Sequence, residues 1–98
     1  MRQKFVLYLV VASALDAVPA QAADDAACQD FTASIMVFVK SNASLRCAAH
    51  GPQWSPRPTE HLSWCMGATP AAVKARLDES KAYIEACKKN GGPPPLPK

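Results

Sequence analysis

Four cysteines in a chain of 98 residues, Cys28, Cys47, Cys65 and Cys87, constrain the fold more than any other feature. The part that they span, Cys28 to about Lys89, is 62 residues, and a core that small is marginal without a staple, either disulfides or a structural metal. Which staple is used depends on the compartment. Arg2 and Lys4 form a positive start, Phe5 to Leu15 is an apolar run, and Ala20-Gln21-Ala22 is an A-x-A cleavage pattern. Residues 1–22 therefore read as a signal peptide cut before Ala23. Asp16 and Pro19 interrupt the run too early for a transmembrane anchor. The expected location is periplasmic or secreted, where disulfides form, with no stable membrane insertion after cleavage.

From Ala23 to Lys98 nine Lys and Arg stand against seven Asp and Glu, a net charge of +2. That balance is too weak to argue for nucleic acid or an anionic membrane. The length excludes two domains, a dinucleotide-binding fold and a barrel.

Hydrophobic spacing predicts an all-α domain over 23–90. Cys28, Phe31, Ile35, Phe38, Val39 and Asn42 recur at intervals of three and four, which predicts a helix from Asp24 to about Asn42. The acidic Asp24, Asp25 and Asp30 suit its N-terminal dipole. Residues 51–58 hold three prolines and a glycine and form a break. A short helix from Thr59 to Cys65 follows, with Thr59 as N-cap and Gly67 as its stop. In the last helix Thr69 is the N-cap, Pro70 occupies the first turn, and Val73, Leu77, Ser80, Ile84 and Cys87 make the seam. Gly91 ends it, and residues 91–98 form a Pro-rich disordered tail. Such tails can serve partners that read polyproline II, but an inert end is the simpler reading.

Four cysteines allow three pairings. Joining Cys28 to Cys47 and Cys65 to Cys87 spans single helical stretches; nineteen helical residues cover about 28 Å, against a limit of about 7 Å between bridged Cα atoms. Joining Cys28 to Cys65 and Cys47 to Cys87 needs the two long helices to run parallel. Helices joined by one loop usually run antiparallel, which places Cys28 beside Cys87 and Cys47 beside Cys65. The expectation is therefore an antiparallel helical hairpin plus a short helix, stapled by two nested disulfides. The inner bridge is worth about 3 kcal/mol and the outer nominally about 4 kcal/mol, not additively.

A second reading of the same residues is a metal centre. Cys47-Ala-Ala-His50 and His61-Leu-Ser-Trp-Cys65 have spacings that suit tetrahedral zinc. Cys47, His50, His61 and Cys65 would be the ligands, with Cys28–Cys87 as the only disulfide. An oxidising compartment opposes it, since zinc needs both thiolates free; the primary expectation is no cofactor. Catalysis has little support. The two histidines form no readable Ser-His-Asp order, no carboxylate pair stands out, no calcium loop is present, and a Cys-His nucleophile needs a free thiol. Asn42-Ala43-Ser44 matches an N-glycosylation acceptor, which a bacterial exporter would leave bare.

Cys28-x-x-Phe31, Asn42, Cys47, Gly51-Pro52-x-Trp54-Ser55, His61-x-x-Trp64-Cys65, Arg76 and Cys87 together resemble the small exported four-cysteine helical proteins of alphaproteobacteria. The resemblance covers about Cys28 to Cys87, and its most specific piece is G-P-x-W-S followed by H-x-x-W-C. The family pattern carries Tyr-Ala where Phe31-Thr32 stand here, which removes a phenolic OH, and His50 lies outside the pattern. The resemblance implies compartment and fold and carries no activity.

The motif reads physically as a knot around the proline break. Trp54 and Trp64 each offer a large apolar area and one N–H, and His61 can bond loop carbonyls. The functional alternative is a concavity lined by Trp54, His61, Trp64 and Arg76. The resulting expectation is a non-catalytic binding or interaction protein, taking a protein or small-ligand partner. Metal binding through His50 and His61 with Cys47 and Cys65 is the alternative.

Overall fold

In the computed structural model, residues 22–95 can be described. The leader expected over residues 1–22 lies outside that range except for Ala22, as do the last three residues of the tail. The elements in order are α1 (Asp25–Ser44), a 3₁₀ turn (Pro52–Trp54), α2 (Pro58–Met66) and α3 (Pro70–Asn90). The fold is all-α, as the spacing predicts, and no strand occurs among the described residues. No helix among them is long and apolar enough to cross a membrane.

Local chemistry accounts for each helix. Asp24 caps α1 by accepting from the Ala27 N–H at 2.7 Å. Cys28, Phe31, Ile35 and Val39 form its buried stripe, and the helix runs one half-turn past Asn42 to Ser44. Thr69 caps α3 by accepting from the Ala72 N–H, with Pro70 at the first position. Val73, Ser80, Ile84 and Cys87 are its buried residues, with Leu77 half-buried between them. Gly91 adopts φ 70°, ψ 25°, and its N–H and that of Gly92 bond the carbonyls of Lys88 and Cys87. This Schellman motif needs the left-handed conformation that glycine tolerates. The start of α2 departs from expectation: Pro58 takes the first position, Thr59 lies inside the helix, and no side chain caps it. A proline that lacks an N–H fits that position without loss.

The disulfide pairing corrects the nested expectation. The bridges are Cys28–Cys65 and Cys47–Cys87, with Cα separations of 5.6 and 5.7 Å. They interleave in sequence. Cys28–Cys65 sets the beginning of α1 beside the end of α2, from which α3 starts after a three-residue turn. Cys47–Cys87 ties the far end of α1 to the far end of α3. The two long helices therefore run parallel. The antiparallel hairpin is formed by α1 and α2. The reason is that the connection between the long helices is not one loop. Its helical part descends along α1, so the chain is back at the start of α1 when α3 begins.

The core has two parts, each built around one disulfide. Ala23, Cys28, Phe31, Ile35, Cys65 and Val73 form the first, flanked by Leu62, Trp64 and Leu77. Cys47, Ile84 and Cys87 form the second, flanked by Trp54 and Tyr83, and Phe38 packs against both. Phe31, Ile35 and Ile84 are the only large aliphatic or aromatic hydrocarbon side chains, among the described residues, that are almost fully buried. So few leave the covalent staples a large share of the stability.

Candidate functional site

The segment between α1 and α2 is where the backbone is least ordinary. Arg46 and Ala48, on either side of Cys47, take φ of 55° and 66°, and Gly51 takes 109°. Left-handed backbone costs a residue with a Cβ about 1 kcal/mol or more, so neighbouring contacts must enforce it. Those contacts are specific. The Asn42 side chain accepts from the Ala49 N–H at 3.0 Å and donates to the Ala49 carbonyl at 2.9 Å. The Tyr83 hydroxyl donates to the Cys47 carbonyl at 2.6 Å, while the Cys47 sulfur is bonded to Cys87.

Further along, three contacts hold the proline break against the helices. Gln53 donates from Nε2 to the Ser80 hydroxyl at 2.8 Å. Ser80 is 0% exposed, and this bond explains a polar residue on the α3 seam. Trp54 packs on Tyr83, with ring centroids 5.4 Å apart. His61 donates from Nε2–H to the Ser55 carbonyl at 2.7 Å, the role expected of it in the knot. That bond places a proton on Nε2, and Nδ1 is buried without a partner.

Loop and α2 are joined again at their boundary. The Arg57 N–H donates to the Ser55 hydroxyl, and its guanidinium pairs with Glu60. A hydrogen bond from Ser55, then one from Arg57, holds the Glu60 carboxyl below its ordinary range.

The four residues expected to share a concavity are divided between the two ends. His61 meets the edge of Phe31 at 6.5 Å, and Trp64 packs on Phe31 at 5.5 Å. The Arg76 guanidinium lies over the Trp64 ring at 3.7 Å, a cation–π stack. Partial burial lowers the Arg76 pKa, with Glu79 opposing the shift. Trp54 belongs to the other cluster, which Phe38 and the His61–Ser55 bond link to the first.

The zinc arrangement does not form. Cys47 and Cys65 are spent in different disulfides, so neither offers a thiolate. His50 is exposed, whereas His61 is 1% exposed. Among the described residues no group of three or more His, Cys, Asp or Glu gathers at one point.

Two of the surface depressions adjoin the loop and the start of α3. One, of about 480 Å3, is lined by His50, Pro52, Trp54, Pro56 and Arg57 on the outer side of the loop. The other, of about 640 Å3, runs along the first turns of α3 between Ala23, Ala27, Pro70, Val73 and Leu77, with Asp24 and Asp78 at its rim.

The parallel helices also sort charge. With the long helices divided at their midpoints, Ser80 on α3, the half toward the loop carries Lys40, Arg46, Arg57, Lys81, Lys88 and Lys89 against Glu60 and Glu85, a net +4. The opposite end carries Asp24, Asp25, Asp30, Asp78 and Glu79 against Lys74 and Arg76, a net −3. An antiparallel pair would have mixed these sets.

Tyr83, Gln53 and Ser80 were missed as loop anchors by sequence reasoning. The available signal was Ser80 itself, a hydroxyl on an apolar seam that demands a partner. Comparison with protein-family models, curated proteins and solved structures finds no match to the chain.

Proposed function

We propose that this chain is an exported, non-catalytic interaction module whose basic end presents the loop at 46–57 to an acidic protein surface. The observation that carries the reading is the loop itself. Asn42, Tyr83, Ser80, His61 and the Cys47–Cys87 bridge all hold it, yet His50, Pro56 and Arg57 stay exposed and Trp54 half-exposed. A loop already ordered before binding loses little conformational entropy when a partner arrives. Tryptophan and arginine are the side chains that most often dominate interface energy, and Trp54 and Arg57 share one depression. The local charge of +4 favours an acidic partner and raises the encounter rate with one.

Two features support export. Residues 1–22 carry the leader pattern, and all four cysteines are paired, as suits an oxidising compartment. The catalytic reading gains nothing from the structure, since every thiol is in a disulfide and His61 spends Nε2–H on the Ser55 carbonyl.

The test places a photo-crosslinking side chain at Pro56, in the loop depression, or at Ala71, exposed near the acidic end. Cells exporting the protein are then irradiated. A discrete adduct from position 56, weakened by Arg57→Glu and absent from position 71, is expected. Equal labelling from both positions, or none from position 56, refutes the loop as the binding face.

A further inference from the structure

We propose that the Ala22–Ala23 peptide bond is a processing site, and that the amino terminus released there is a built part of the folded domain. The proposal rests on the export reading above. The Ala23 nitrogen donates to the Ala68 carbonyl at 2.8 Å. Ala23 is 7% exposed and belongs to the core around Cys28, Phe31 and Cys65, whereas Ala22 is exposed and outside any helix. Burial thus changes from Ala22 to Ala23, across one peptide bond. The Ala20-Gln21-Ala22 pattern independently selects the same bond.

The step is a hydrolysis that needs only water and a leader-removing endopeptidase. The bond between the Ala22 carbonyl carbon and the Ala23 nitrogen breaks. The oxygen of water stays with Ala22 as a carboxylate. The Ala23 nitrogen leaves as an amine and takes up a proton near neutral pH. The resulting ammonium keeps a proton for the Ala68 carbonyl and gains a charge. Ala68 follows Gly67 at the C-terminal end of α2, where the helix dipole favours a cation, and the Asp24 carboxylate belongs to the next residue.

This geometry also orders the events of maturation. The Cys28–Cys65 bridge holds the start of α1 against the end of α2, and with it the Ala23 nitrogen against Ala68. A peptidase needs the scissile bond extended and accessible, so the cut must come before that bridge closes, or wait for local opening.

The experiment treats the full-length chain in detergent micelles with a purified bacterial leader peptidase, oxidised or fully reduced. The reduced chain is expected to be cut at Ala22–Ala23 by mass, and the oxidised chain about tenfold more slowly or worse. After reoxidation of the cut product, its α-amino group should acylate about tenfold more slowly than in the reduced product. Equal cleavage in both redox states, with an equally reactive α-amine, overturns the proposal. No cut in the reduced chain, or a cut at another bond, overturns it together with the export reading.

Discussion

Replacing Cys47 and Cys65 by alanine together gives the sharpest test of the architecture. The structure places these residues in different bridges, so the double variant leaves Cys28 and Cys87 without partners. Cys28 sits at the start of α1, and Cys87 lies beside Cys47 beyond its end. Nineteen residues at about 1.5 Å each put the two remaining sulfurs roughly 28 Å apart, about four times the span a disulfide tolerates. The expected product has two free thiols per chain and no intramolecular bridge. The control, Cys47→Ala with Cys87→Ala, keeps Cys28–Cys65 and should have none.

Stability should separate the variants in the same order. Each bridge closes about 40 residues, which the chain-entropy relation values at about 4 kcal/mol. A domain of roughly 70 residues has about 4 to 10 kcal/mol in total. The control should therefore stay folded with a urea midpoint reduced by about half, while the test variant should be largely unfolded in buffer. Maleimide mass tagging counts the thiols, and circular dichroism through a urea series reads the fold. A monomeric Cys47→Ala/Cys65→Ala chain without free thiols, as stable as the control, would refute the parallel arrangement and restore the nested pairing.

Smaller perturbations test the loop and its surroundings. Tyr83→Phe removes the donor to the Cys47 carbonyl and should cost about 1 to 2 kcal/mol in urea unfolding; no change would mean the bond does not restrain the loop. Ser80→Ala deletes the partner of Gln53 and should cost about 1 kcal/mol and speed proteolysis near Gln53. Arg76→Ala uncovers the Trp64 ring and should shift its fluorescence in a Trp54→Phe background, with a stability loss of about 0.5 to 1 kcal/mol. Glu60 has a lowered folded pKa, so its contribution is present above the usual value of 4.5 and is lost as pH falls through the folded value. Wild type and Glu60→Gln should therefore converge in stability on acidification below pH 4.5 and differ above it; a gap that widens in acid contradicts the assignment.

Much of the secondary structure was legible because its causes are local. The α3 seam of Val73, Leu77, Ser80, Ile84 and Cys87, the Thr69 cap and the Gly91 stop all depend on residues within one or two turns. The same logic misplaced the start of α2, because Thr59 and Pro58 both carry N-terminal signals and the proline takes the first position. The site was harder to read. His61 was correctly expected to bond a loop carbonyl, yet Trp54 and Trp64 were placed together when they serve different clusters. Short spacing in sequence does not tell which end of a hairpin a side chain faces.

The sequence by itself determined three helices, their seams and most of their caps, and the need for covalent staples in so small a core. These follow from periodicity, from capping chemistry and from the ratio of surface to volume. Which cysteine meets which was decided only by the tertiary structure. It depends on whether the chain between the long helices turns once or travels back along α1, a question of packing among residues far apart in sequence. The return of α2 makes the long helices parallel, interleaves the bridges and gathers basic groups at the loop end and acidic groups at the other. The anchoring of the loop through Gln53 to Ser80 and Tyr83 to Cys47 belongs to the same level, because it joins residues 27 and 36 positions apart that only this path brings into contact.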